Sequence, residues 1–294
     1  MTMIGNRTFF MTLATLLLST VFSVSRAQDS YRERRQHVFA PGEEINYKLQ
    51  LGFINVGEAD VTVSKKLYES EGRPCFNMQI HGRTTGVFSL AAKVDDYWGT
   101  YMDTLSLVPH QFYMRLRELS YRKQQVMRFD HKNDSVYVEK RDKRSGKYIH
   151  EKVFSVPNDI QDIISGFYYL RTLNFDSLKK GDTFVVPGFF DDSVYYLNIR
   201  LLEREVIKTR IGKRKALVLA PYMPKNELFD KGKSIKVWIS DDRHRIPLKI
   251  RAKMMIGAAE VNIRSYKPGN VSLNGKKGKP LKVPKQRKRY KKKE

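Results

Sequence analysis

The sequence predicts a mainly β protein: an antiparallel meander forming a curved sheet or incomplete barrel, with one amphipathic helix. Three observations predict it. Apolar and polar residues alternate with period two over most of the chain, as in half-buried antiparallel strands. Clusters of Gly, Asn, Asp and charge separate these runs and read as turns. One stretch near residue 160 switches to helical spacing. With no repeat of fixed period and no Pro/Gly/Ser linker, short strands joined by turns make a single curved sheet the simplest architecture.

The elements follow in order. Arg7 precedes the apolar run FFMTLATLLLSTVF at 9–22, and small residues stand at Ser25 and Ala27. A basic start, a short apolar run and a small-residue site predict a secretory signal peptide over 1–27. The run is shorter than the roughly 20 apolar residues that span a bilayer. No Cys follows it to carry a lipoprotein's lipid. The expected location is therefore periplasmic or secreted, soluble or peripherally membrane-associated. Residues 28–266 are expected to form a single β-rich domain, long enough to bury a core.

Within that body, INYKLQL sets Ile45, Tyr47, Leu49 and Leu51 on one face, and FNMQI does so for Phe76, Met78 and Ile80. Phe112, Met114 and Leu116 alternate in the same way, as do Ile235, Val237 and Ile239, and Ile246, Leu248 and Ile250. APGEE, FINVGEAD, HKND, KRSGK, IGKRK and SDDRHR read as turns, with hairpins centred on 131–134 and 241–245. In VPNDIQDIISGFYYLRTL, Ile160, Ile163, Ile164 and Phe167 share a helical stripe. Asn158 as cap, with Gln161 completing a capping box, predicts a helix over 158–173. Such a helix is expected to cover an open face of the sheet. Cys75 is the only cysteine. No intramolecular disulfide can form, so the core must supply the stability, and Cys75 itself reads as a small buried hydrophobe.

Five segments in order resemble a bacterial family of exported proteins known only as a domain of unknown function: FAPGEEINYKLQLGFINVGEADV, KVDDYWGTYMDTLSLVPHQF, DIISGFYYLR, KVWISDDRHRIPLKI and IGAAEVNI. The resemblance implies an extracytoplasmic β-rich domain and brings no catalytic residues with it. A looser, fold-level likeness is to the half-barrels of lipoprotein carriers, which place a helical lid over an apolar cavity.

The candidate chemistry is sparse. Asp95–Asp96, Asp191–Asp192 and Asp241–Asp242 are carboxylate pairs, but each sits at a strand end or turn, where Asp bonds nearby backbone. Adjacent strand residues also point to opposite faces. Asp95, Asp241 and Asp242 stand as motif-turn candidates. The histidines at 37, 81, 110, 131, 150 and 244 form no metal-binding spacing, and no GxSxG or phosphate loop is present. Neither a metal nor a cofactor is expected, and an enzyme is the less favoured class. Trp98, Tyr168, Tyr169, Tyr196 and Trp238 are the candidate ligand-binding residues, as aromatics on a curved sheet can line a cavity. For any single one of them ordinary core packing is the favoured reading.

The net charge is +24, and residues 267–294 carry twelve Lys/Arg against one Glu. This segment reads as a basic disordered tail. Export argues against nucleic acid as its partner and for an anionic envelope surface, held by Lys276, Lys277, Arg287, Lys288, Arg289, Lys291, Lys292 and Lys293. Three functions follow in order. The first is a non-enzymatic envelope protein binding an apolar or amphipathic ligand, such as a lipid, or a protein partner in its curved sheet. The second is an envelope scaffold or assembly factor acting through its surface and tail. The third is a hydrolase using turn carboxylates.

Overall fold

The computed structural model describes residues 31–34, 36–142, 147–222, 235–253 and 258–270. The signal-peptide segment and the tail residues Lys276 to Lys293 lie outside them. The strands are β1 (Glu44–Leu51), β2 (Ile54–Val63), β3 (Tyr68–Ser70), β4 (Arg73–Thr84), β5 (Asp95–Asp103), β6 (Pro109–Glu118), β7 (Tyr121–Asp130) and β8 (Ser135–Arg141). They continue as β9 (Tyr148–Ser155), β10 (Thr183–Phe190), β11 (Ser193–Thr209), β12 (Gly212–Tyr222), β13 (Ile235–Ser240), β14 (Pro247–Lys253) and β15 (Ala258–Lys267). A short helix α1 (Phe88–Ala91) joins β4 to β5, and α2 (Ile163–Arg171) lies between β9 and β10.

All fifteen strands form one sheet, in the order β10-β11-β12-β13-β14-β15-β1-β2-β4-β5-β6-β7-β8-β9, with β3 added on β4. Neighbours pair antiparallel throughout. The meander thus holds, with one crossing: β15 returns beside β1, so the first and last strands meet mid-sheet and β9 and β10 become the edges. The sheet curves without closing into a barrel. Side chains bridge its edges, with the Phe154 and Phe189 rings 5.3 Å apart and Lys140 3.2 Å from Asp192.

The helix is where expected but shorter, and its cap is different. Asp162, with extended backbone, accepts from the N–H groups of Ile164 (2.7 Å) and Ser165 (2.9 Å), while the Ser165 hydroxyl accepts from the Asp162 N–H (2.9 Å). Asn158 and Gln161 do not form the capping box because the chain before Asp162 is held to the edge of β10. Gln161 bridges Gly188 and donates its N–H to the Pro187 carbonyl. Ile160 is buried ahead of the helix rather than on it.

The predicted inward faces pack against this helix. Ile45, Tyr47, Phe76, Met78, Phe112 and Met114 join Phe39, Ile164 and Tyr168 in one buried cluster. A second cluster contains Leu217, Leu219 and Ile239, with Tyr169, Leu170 and Leu173 packed on it. Because strand side chains alternate, Leu217 and Leu219 serve one cluster while Ala216 and Val218 serve the other. Both faces of β12 are therefore covered. Cys75 is fully buried, as expected, and burial pushes its thiol far up.

FINVGEAD is not a turn along its length. The turn is confined to Gly52 (φ +56°) and Phe53, and β2 begins at Ile54. Gly57 serves a close approach instead: a Cβ there would lie 2.5 Å from the Arg83 carbonyl oxygen.

A cationic cavity behind Trp238

Directly opposite residues on neighbouring strands share a face of the sheet. One such row runs Trp238, Lys249, Asn262, Lys48 across β13, β14, β15 and β1. It lies on the opposite face from Ile239, which packs in the second cluster. The distal part of the long β11 faces this row across a half-open cavity of about 710 Å3. Its lining residues include Trp238, Leu248, Ile263 and Ile207, with Gln50, Thr209 and Asn262, and the charged residues Lys48, Lys208, Arg210, Lys249, Arg264, Glu205 and Glu260. Five cations thus face two carboxylates.

The carboxylates are already engaged. Glu205 accepts a 2.5 Å hydrogen bond from the Trp238 indole N–H. This bond anchors β11 over β13. Glu260 takes Lys249 at 3.0 Å and the Asn262 amide at 3.2 Å. Burial alone would raise its carboxyl, but the Asn262 and Lys249 hydrogen bonds outweigh that and hold it below its usual range. Lys249 lies over the Trp238 ring, 5.5 Å from its centre, and Arg264 pairs with Glu58. Lys48, Lys208 and Arg210 have no acidic partner among the described residues. The cavity therefore joins an indole face and aliphatic side chains to three uncompensated positive charges, an arrangement suited to a molecule with an anionic head and an apolar body.

The candidate aromatics do not converge. Trp238 lines the cavity and is 9% exposed. Tyr168 is fully buried beneath the helix between Phe39 and Phe167. Tyr169 receives a hydrogen bond and ring contact from Arg34. Trp98 is partly buried against the main cluster, and Tyr196 is 65% exposed on β11. Beneath α2, Phe39, Tyr47, Phe76 and Met78 pack in one buried cluster with Ile164 and Tyr168.

The acidic candidates act in turns and ion pairs. Asp242 accepts from the Ser240 hydroxyl (2.9 Å) and the His244 backbone (2.9 Å). Asp241 pairs with Arg245 (2.8 Å) and Arg204 (3.5 Å). Asp95 does meet a histidine, His81 Nε2 at 2.7 Å, but on the sheet's open outer face beside Tyr97 and Arg117. The hydrogen bond to His81, with Arg115 and Arg117 nearby, outweighs burial and lowers its carboxyl. Asp191 and Asp192 form a two-residue turn with positive φ and reach back to Lys123 and Lys140.

Sequence reasoning missed two groupings. One is the cavity's cations, of which Lys249 alone falls in IPLKIRAK, where Lys and Arg alternate with apolar residues. The other is a buried ion pair, Arg171 with Glu43, both 0% exposed. The guanidinium grips both carboxylate oxygens (2.7 and 2.8 Å), donates to the His244 carbonyl (3.0 Å), and stacks on Tyr168 and Phe39. Tyr266 reaches the same carboxylate at 3.4 Å. Glu43, Arg171 and His244 come from three of the five segments quoted above, and they meet at one point.

One solved structure among those compared shares this architecture. The crystal structure of a β-barrel-like protein of domain of unknown function DUF1849 from Brucella abortus superposes with a TM-score of 0.52 at 9% identity, over 80% of this chain and 100% of that one. A protein assigned as exported, of YmcC-like fold, from Bacteroides fragilis matches over 78% and 97% of the two chains, at 10% identity and a TM-score of 0.28. One assigned as a lipoprotein from Parabacteroides distasonis matches over 80% and 100%, at 8% identity and a TM-score of 0.28. Among curated proteins no sequence is significantly similar to the chain. The family model for DUF3108, described as protein of unknown function, matches residues 46–264, and the chain belongs to that family.

Proposed function

We propose that the protein works outside the cytoplasm as a non-enzymatic binder of an anionic amphiphile, held in the cavity behind Trp238. One observation carries this reading: three cationic residues without acidic partners line, with an indole and aliphatic side chains, a half-open space of about 710 Å3. The signal-peptide pattern at 1–27 supports the compartment, and N-terminal sequencing of the exported protein tests it. The core packing beneath α2 supports this cavity, rather than the lidded space of a lipoprotein carrier, as the binding place. The basic segment 267–294 is read as an electrostatic tether to an anionic envelope surface.

Dodecyl phosphate and dodecyl maltoside serve as charged and neutral probes of equal tail length, followed by the fluorescence of Trp238 in a Trp98→Phe background. The phosphate should bind the more tightly. Surface ion pairs contribute up to about 1 kcal/mol each, so Lys208→Glu with Arg210→Glu should weaken it about tenfold or more. Equal affinity for both probes, or no effect of the charge reversal, would overturn the assignment.

A further inference from the structure

We propose that one end of the sheet is a docking rim for an anionic lipid bilayer. The surface is independent of the cavity and stands or falls separately from it. Strands β1, β4, β6 and β8 end where β2, β5, β7 and β9 begin, so their connections gather at a single end. Of the 17 exposed large hydrophobic side chains among the described residues, nine lie at this end. The most exposed are Phe53 (104%), Leu90 (86%) and Val87 (84%).

These residues crown separate turns that the backbone holds side by side. The Gly52 N–H donates to the Ala258 carbonyl (3.0 Å), Thr85 to Val56 (3.2 Å) and Leu119 to Lys93 (2.8 Å). The knobs are therefore presented together on a braced edge. Large exposed apolar patches mark interaction sites. Apolar tips that stand proud singly, rather than walling a groove, suit insertion among lipid headgroups.

The surrounding charge selects the kind of membrane. Lys93, Arg117 and Lys253 are exposed around the tips, with Arg122 and Lys123 close by. The acidic groups at this level are engaged: Asp95 is bound by His81, Asp96 accepts from the Arg117 backbone, Glu118 lies beside Asp96, and the exposed Asp191 pairs with Lys123, which leaves Lys93 and Lys253 as cations at the tips. Cations ringing an apolar tip match an anionic headgroup layer.

The test uses the full chain with Phe53→Trp. It is mixed with phosphatidylglycerol-containing or pure phosphatidylcholine vesicles whose acyl chains carry bromine. The introduced indole should shift to the blue and be quenched by the anionic vesicles, over and above the signal of Trp98 and Trp238 in the parent. A second variant, Phe53→Ser with Leu90→Ser, should lower co-sedimentation with those vesicles about tenfold or more. Co-sedimentation without quenching of the new indole would overturn the proposal, since binding would then run through the N-terminal run or the basic tail. It would also fail if the double variant abolished a self-association that the parent shows without lipid.

Discussion

Replacing Arg171 with Met removes the guanidinium and leaves the Glu43 carboxylate, 0% exposed, with only the long 3.4 Å contact from Tyr266. The wild-type pair has two short charge-assisted hydrogen bonds, a third to the His244 carbonyl and two aromatic faces. Stranding one member of such a buried pair costs about 3–5 kcal/mol. Arg171→Met and Glu43→Gln should each lose that much. The double variant Glu43→Leu/Arg171→Met strands no charge and should come within about 2 kcal/mol of wild type, because the pair's own desolvation cost disappears with it. Urea denaturation followed by far-ultraviolet circular dichroism reads this directly. At an m-value of about 3 kcal/mol/M, each single substitution should move the midpoint down by about 1–1.7 M. Such a loss is a large share of an ordinary domain stability of about 5–15 kcal/mol. Two single losses that simply add in the double variant would refute the pairing as its cause, as would single losses below about 1 kcal/mol.

Burial pushes the Asp162 carboxyl up to about 6, against the opposing hydrogen bonds from Thr100, Ser165 and Ile164. The folded chain then holds this proton more tightly than the unfolded one, so the group favours folding most below about pH 4 and that contribution fades as pH rises to about 6, by up to about 3 kcal/mol. The stability difference between wild type and Asp162→Asn, measured from pH 4 to 7, should follow that slope; a flat difference refutes it. Among the glycines, Gly57→Ala forces its Cβ against the Arg83 backbone, whereas Gly99→Ala meets only the Tyr113 ring, which can swing away. Thermal denaturation should show Gly57→Ala costing about 2–3 kcal/mol, as overpacking does. Gly99→Ala should cost about 1 kcal/mol, the value of the lost Tyr113–Gln79 hydrogen bond.

Much of the fold was legible. The period-two faces of INYKLQL, FNMQI and QFYMRLREL became the inward faces of β1, β4 and β6, apart from Leu51, which is 40% exposed at the end of β1, since alternation is a local property of an extended chain. The hairpins at 131–134 and 241–245 were legible for the same reason, through local turn chemistry. The helix boundary was not, because Gln161 was drawn to β10, a strand more than 20 residues away. Gly57 misread as a turn residue is the same kind of error: its reason is a neighbouring strand's carbonyl, which no local pattern reports.

The site divides along the same line. Trp238 could be chosen from its sequence neighbourhood, but core and cavity-lining aromatics share one periodicity, so nothing local separated it from Tyr168. By itself the sequence determined the β meander, the amphipathic helix, the fully buried lone cysteine and the excess of positive charge, all of which depend on neighbours along the chain; the short α1 it did not foresee. Only the tertiary structure decided which charges meet. It joined Glu43 to Arg171 across 128 positions, set β15 beside β1, and gathered Lys48, Lys208 and Arg210 around one indole. The physical reason is that ion pairing and enclosure depend on distance in space, and a curved sheet brings together residues far apart in the chain.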